Sequence, residues 1–375
     1  MNTLRHGSRA RLAAVGFVAS GAMLLAGCGA SNESAPAAGG ASSSAAAEAS
    51  GTIARAGATS QQAAMEAWIA GFSSVAPDAT VNYDPTGSGA GRTQFTAGAV
   101  QFAGSDAALD EEELPTAQQV CGGADNVIQM PLYISPIAVI FNLEGIQTLN
   151  LAPGTVARIF NRQITTWNDP AIAADNPGVA LPATPITPVN RSDESGTTEN
   201  FTEYLAAAAG ADWPHEPDGV WPVQGGEAAQ GTSGVVGAVG GGQGTIGYAD
   251  ESQAGDLGQV HVRVGSAFVG PTPEAAAAVV EASPRVTGQG QYNFAVELDR
   301  DTTASGAYPV VLVSYTIACT QYSDAAVADT VHAFLNYMAS DEGQQAASSN
   351  AGNAPISDSQ RSAFQPAIDA IAAAG

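Results

Sequence analysis

From Val127 to Phe141 the chain is almost wholly apolar, yet it carries Pro131 and Pro136. No single helix holds two interior prolines, because each removes a hydrogen bond and clashes with the preceding turn. The run therefore reads as two extended pieces with a bend between them, and the bend as a crossing from one lobe to another. Helical and extended patterns alternate around it. Residues 64–75 place Met65, Trp68, Ile69 and Phe72 at helical spacing, and Thr59-x-x-Gln62 before them has the form of a capping box. Residues 80–83 and 99–103 read as strands, and residues 87–91 as a tight turn before a short helix. Residues 156–160 and 201–209 are helical, with a turn at 166–170 between them. Residues 310–317 form a β-branched strand that can return to the first lobe. An amphipathic helix spans 327–338, with Asp324 near its start. No fixed-period repeat occurs. The alternation gives an α/β fold.

The net charge is −24 over 375 residues, and every one of the 12 cationic residues is Arg. Without Lys, a Walker-type phosphate loop and Schiff-base chemistry are both excluded. So acidic a chain does not bind nucleic acid by neutralising phosphates. An anion would have to be held at short range. The four His have no metal-ligand spacing, so no metal and no cofactor are expected.

Arg5, Arg9 and Arg11 precede an apolar stretch that ends in Leu25-Ala26-Gly27-Cys28. It is too short to span a bilayer and has the layout of a targeting segment. Its end looks like the lipobox of bacterial lipoproteins, which implies cleavage before Cys28 and lipid on its sulfur. An ordinary secretory signal with an incidental Cys is the alternative. Residues 1–27 are thus assigned as signal peptide and 28–50, rich in Ala, Ser and Gly, as a lipidated flexible tether. Cys121 and Cys319 remain, either as a disulfide in an oxidising compartment or as two separate buried thiols.

Gly242 to Gly247 matches G-x-G-x-x-G, but a glycine-rich run precedes it and Tyr248-Ala249-Asp250 follows, so a turn plus short strand is the better reading. Three other loops share one character. Ala58-Thr59-Ser60, Gly87-Ser88-Gly89 and Ser195-Gly196-Thr197 each put hydroxyls and free N–H groups at a helix start, where the dipole favours an anion. Arg191 stands beside the third. One such loop is an ordinary N-cap; three with a guanidinium suggest an oxyanion site. Asp106 discriminates among oxyanions. A carboxylate repels an anion unless the anion brings a proton, as phosphate does at neutral pH and sulfate does not.

With these segments in view, the sequence resembles the substrate-binding proteins of bacterial high-affinity phosphate ABC transporters. The likeness rests on Gly57-Ala58-Thr59, residues 87–91 and 102–109, Ile159-Phe160 through Trp167-Asn168-Asp169, residues 191–197, and Thr245-Ile246-Gly247-Tyr248, all in the family's order. It implies a two-lobed periplasmic-binding-protein fold of type II, each lobe a mixed sheet flanked by helices. Residues 51–134 plus 308–375 would form lobe 1 and residues 135–307 lobe 2. Inorganic phosphate would lie between them, touched by Thr59, Ser60, Ser88 and Asp106 from lobe 1 and by Arg191, Ser195, Gly196 and Thr197 from lobe 2. Asp193 would pair with Arg191 and orient it. Ser60 stands where relatives often carry an aromatic residue. The acidic stretch at residues 110–113 and the Cys pair would not bear on the site.

The resemblance further implies a monomer, lipid-anchored on the extracytoplasmic face of the cell membrane, that delivers phosphate to membrane ABC permease subunits without catalysis. Closure would hinge near residues 134–136 and 307–310. Two other readings compete. One is a phosphate- or arsenate-type oxyanion sensor, or another oxyanion-binding lipoprotein, with no transport role. The other is a secreted phosphatase with Ser88 or Ser195 as nucleophile, which lacks a nearby base or metal cluster.

Overall fold

The computed structural model describes residues 49–375; the stretch expected to be a signal peptide, Cys28 and nearly all of the expected tether lie outside them. The chain opens with β1 (Thr52–Gly57), α1 (Gln62–Val75), β2 (Thr80–Asp84), α2 (Ser88–Thr96) and β3 (Phe102–Ser105). The order β2-β1-β3 is parallel. Helix α3 (Leu114–Val120) leads into β4 (Val127–Phe141). Then come β5 (Thr148–Leu151), α4 (Pro153–Phe160), α5 (Pro170–Asp175), β6 (Thr187–Arg191), α6 (Gly196–Ala209), β7 (Glu227–Ala229) and α7 (Gly231–Gly241). They are followed by β8 (Thr245–Asp250), β9 (Gly258–Val264), β10 (Ala267–Val269) and α8 (Pro273–Ala282). Strand β11 (Val311–Cys319) returns, and α9 (Ala325–Ala339), α10 (Asp341–Ala351) and α11 (Asp358–Asp369) close the chain.

Strand β4 joins the two lobes. Its residues Val127 to Pro136 pair antiparallel with β11, and Ile137 to Phe141 pair with β8. All of β4 is buried. The expected bend is absent: one continuous strand changes partners instead. Its prolines sit where a missing donor does least harm. Pro131 lies at a register shift opposite Ser314 and Tyr315, and Pro136 faces Val311 just before the switch. On one side the sheet runs β2-β1-β3-β11; on the other it runs β8-β6-β7, with β9 pairing β4, β5 and β10.

Each lobe packs its own aromatic cluster. In the first, Phe72 and Phe102 meet Phe334 of α9 at centroid distances of 5.0 and 5.9 Å. In the second, Phe201 of α6 lies 4.5 Å from Tyr248 of β8 and 4.9 Å from Phe160 of α4. That second cluster fixes α6 against β8, and so places the loop before α6. Cys121, just after α3, forms a disulfide with Cys319 at the end of β11, their Cα atoms 5.1 Å apart.

Several local expectations need correction. The capping box at Thr59 and Gln62 does not form; Gln61 is the N-cap of α1 and no side chain caps it. Thr59 points its hydroxyl to Thr232 instead. Residues 88–91 are the first turn of α2 rather than a turn before it; only Gly87, with φ of 103°, lies outside. The strand expected at 99–103 is shifted to β3. Helix α6 starts at Gly196, five residues earlier than its apolar pattern, because Ser195 caps it by accepting from the Thr198 N–H. At the G-x-G-x-x-G run, Gly244 turns with φ of 80° and β8 follows.

Candidate functional site

Four loop ends converge where the two lobes meet. Thr59 and Ser60 follow β1, Ser88 opens α2, Asp106 follows β3, and Arg191 to Thr197 link β6 to α6. Close approach depends on glycine. A Cβ on Gly57, whose φ is 152°, would stand 1.9 Å from the Gly104 carbonyl oxygen of the neighbouring strand. A Cβ on Gly196 would stand 2.7 Å from the Asp106 Cβ and 2.8 Å from the Ser88 Oγ. The first turn of α6 can therefore reach Asp106 only without a side chain.

Asp106 is the centre of the arrangement. Ser60 Oγ donates to its carboxylate, 2.8 Å from each oxygen. Thr197 Oγ1 donates to Oδ2 from the opposite lobe at 3.0 Å. The Asp106 N–H donates to Ser88 Oγ at 3.1 Å, and Asn200 Nδ2 donates to the Asp106 carbonyl at 2.6 Å. Ser60, Ser88, Asp106, Arg191, Ser195 and Thr197 are each no more than 3 % exposed; Thr59 is half-buried. Burial pushes the Asp106 carboxyl up, and hydrogen bonds from Ser60, Ser314 and Thr197 with the charge of Arg191 pull the other way.

Arg191 is held from behind. Its Nε donates to Asp193 Oδ1 at 2.8 Å, and Nη2 donates to Oδ2 of the same carboxylate. Its N–H donates to the Tyr248 hydroxyl at 3.3 Å. Burial works against the Asp193 charge, but hydrogen bonding and charge from Arg191, with the Gly231 N–H, hold it below the usual carboxylate range. A bidentate guanidinium–carboxylate pair of this kind fixes geometry and tempers net charge.

All the residues expected at the site thus surround one interlobe region, although Thr59 meets Thr232 rather than Asp106. Ser60 takes part through its side chain, whose hydroxyl donates to Asp106. Several neighbours were not foreseen. At the start of α7 the Thr232 N–H donates to Thr59 Oγ1 at 3.1 Å and the two hydroxyls hydrogen-bond at 2.9 Å, while Gln253 Nε2 donates to the Thr59 and Ser60 carbonyls at 3.0 Å. Thr232 carried a readable signal, since Gly231-Thr232 repeats the glycine–hydroxyl helix start of Gly87-Ser88 and Gly196-Thr197. The acidic stretch at 110–113 also connects to the site, contrary to expectation. Glu113 grips Arg92 Nε at 2.8 and 2.9 Å, and Arg92 Nη2 crosses to Glu194 of the Arg191 loop at 3.0 Å.

A two-lobed α/β molecule with buried anion-type donors between its lobes defines a substrate-binding protein, and the sequence model described as a PBP superfamily domain matches residues 42–342. Phosphate-binding protein PstS 3 of Mycobacterium leprae is 37% identical over 369 residues, covering 96% of this chain and 98% of its own. PstS 3 of Mycobacterium tuberculosis is 38% identical with the same coverage, 96% and 98%. The chain belongs to the PstS family of phosphate-binding proteins. Solved structures share the fold. A periplasmic phosphate-binding protein, PfluDING, solved with phosphate bound, superposes with a TM-score of 0.67 at 24% identity, over 84% of this chain and 93% of its own. The phosphate binding protein of Stenotrophomonas maltophilia gives 0.67 at 22%, with coverage of 84% and 93%.

Proposed function

We propose that the chain binds inorganic phosphate between its lobes and delivers it to membrane ABC permease subunits for import, making and breaking no bond. The observation that carries this is Asp106: a buried carboxylate set among hydroxyl donors from both lobes, beside a guanidinium already matched by Asp193. Hydroxyls and N–H groups suit any tetrahedral oxyanion. A fixed acceptor among them suits one that carries a proton. Thr59, Ser60, Ser88 and Asp106 would bind from lobe 1; Arg191, Ser195, Gly196 and Thr197 would bind from lobe 2, with Asp193 steadying Arg191. We take lobe 1 as residues 51–134 plus 308–375 and lobe 2 as 135–307. Closure hinges near residues 134–136 and 307–310. The change of partners along β4 supports this, as does the Ile137 N–H donating to the Val310 carbonyl at 2.8 Å.

The relatives' names support the reading, since both relatives reported above are named phosphate-binding proteins. The lipobox supports tethering through lipid on Cys28 at the extracytoplasmic face, and mass spectrometry of the processed N-terminus tests it. Calorimetric titration of ligand-stripped protein with phosphate and with sulfate tests the central claim. Phosphate is expected to bind far more tightly. In Asp106→Asn the phosphate-to-sulfate ratio is expected to fall at least about tenfold, as an acceptor is replaced by a mixed donor and acceptor. Equal affinity for the two anions in the parent protein, or an unchanged ratio in the variant, would refute it.

A further inference from the structure

One cation lies inside the first lobe, unused by the site described above. Arg55 of β1 is 1 % exposed, and among the described residues no carboxylate pairs with it. Its guanidinium contacts the sulfurs of Met65 and Met338 and lies over the rings of Tyr83 and Phe102, 5.5 and 5.1 Å from their centroids. Its Nε has no partner. Burial pulls this guanidinium down to about 10, which still leaves it charged at neutral pH. An unpaired cation in such surroundings costs several kcal/mol, so the position calls for a role.

Its Nη2 has two polar contacts, a long one to Thr316 Oγ1 at 3.4 Å and a shorter one to Gln61, which leads toward Asp106. Arg55 Nη2 donates to Gln61 Oε1 at 2.9 Å, and Gln61 Nε2 donates to Ser314 Oγ at 2.6 Å. Ser314 stands beside the Asp106 carboxyl and, with Ser60 and Thr197, is one of the hydroxyls that pull it down against burial. The chemistry fixes the direction of every bond. A guanidinium only donates, so Gln61 must turn its oxygen to Arg55 and its amide to Ser314. Ser314 then accepts from Gln61, which leaves its own proton free to turn toward Asp106. Gly104 leaves the room for this chain: a Cβ there would stand 2.4 Å from Gln61 Nε2 and 2.6 Å from Arg55 Nη2.

We infer that Arg55 is a positioning residue for anion selectivity, holding Asp106 in its acceptor state through Gln61 and Ser314. The inference rests on the phosphate reading above, and deepens it. An acceptor carboxylate excludes sulfate; a protonated one becomes a donor and admits it. Arg55 therefore sets how far the pH can fall before discrimination is lost.

The charged and titratable groups around Asp106 are Arg191 from β6, Arg55 from β1, Tyr83 from β2 and Asp250 from β8. Glu199 of α6 shares the crevice beside it. The test measures phosphate and sulfate affinity from pH 5.5 to 8.5 in the parent chain, Arg55→Met, Gln61→Met and Asp106→Asn. Arg55→Met exchanges a buried cation for a similar apolar volume, which folds retain well; thermal unfolding checks it. Gln61→Met breaks the chain but keeps the charge. Both are expected to move the loss of selectivity upward by about one pH unit, so the ratio at pH 6 falls roughly tenfold while that at pH 8.5 stays within about threefold. Asp250, pushed up to about 7 by burial, titrates in the same window, so the series is repeated with Asp250→Asn. If Asp106→Asn loses discrimination but neither other variant shifts the profile, Arg55 has no such role and the phosphate reading stands. If only Arg55→Met shifts it, the hydrogen-bonded chain is refuted. If Asp106→Asn keeps discrimination, Asp106 and Arg55 lose their roles together.

Discussion

At Gly196, a missing methyl decides whether the two lobes can meet. An Ala there would press on Asp106 and Ser88 across the interface, at 2.7 and 2.8 Å. It would meet neither group with the lobes apart. Overpacking of this kind costs about 1–3 kcal/mol. Gly196→Ala is therefore expected to weaken phosphate binding roughly 10- to 100-fold while leaving the melting temperature of ligand-free protein nearly unchanged. Titration paired with calorimetric melting checks this. A large drop in melting temperature would show instead that the glycine serves the fold of α6. Ser60 shows another residue-level effect. Its hydroxyl is a donor that both Asp106 oxygens take.

Among the elements, β8 carries a second buried acid. Asp250 lies opposite Ile137, where β4 changes partners, and accepts from the Tyr133 hydroxyl at 3.0 and 3.1 Å. Burial pushes it up to about 7. A folded-state pKa above the unfolded one means that the folded protein holds a proton the unfolded chain releases first. The stabilisation is full below the unfolded value and is lost as pH rises toward about 7. Urea unfolding of the parent and Asp250→Asn is expected to diverge in the variant's favour from pH 4.5 to about 7 and run parallel above. Parallel behaviour throughout would contradict the assignment. Elements with strong patterns could be read from the sequence. Met65, Trp68 and Phe72 at helical spacing mark α1, and all three are buried. Helix α7 could not be read, since its glycines disfavour a helix. Val235 and Val239 hold it by packing with Val189, Ala138, Ile140 and Ala249. The site was readable wherever glycine and hydroxyl residues open a helix beside Arg191. Arg55 and Gln61 were not, because their role lies in a chain of contacts between β1, α1 and β11 that no local spacing encodes.

At the scale of the molecule, Arg92 ties the lobes together outside the site. It lies in α2, is gripped by Glu113, and reaches Glu194 across the interface at 3.0 Å. Glu194 is 49% exposed, so water and salt weaken that bond. Glu194→Gln is expected to speed phosphate release by no more than about fivefold, with the association rate nearly unchanged. Stopped-flow kinetics distinguish the two rates. An effect confined to association would mean that Glu194 acts on encounter rather than closure. With a net charge of −24, little attraction at a distance helps an anion approach. Retention must then depend on contacts that form only when the lobes meet.

The bond between Cys121 and Cys319 turns the chain into a covalent ring that spans 198 positions and includes the whole of β6, α6 and β8. A protease that nicks the backbone anywhere inside that ring frees neither fragment, so the molecule stays in one piece until a reductant arrives. The ring also shuts late in synthesis, because Cys319 is made only after every ligand-facing loop has already emerged.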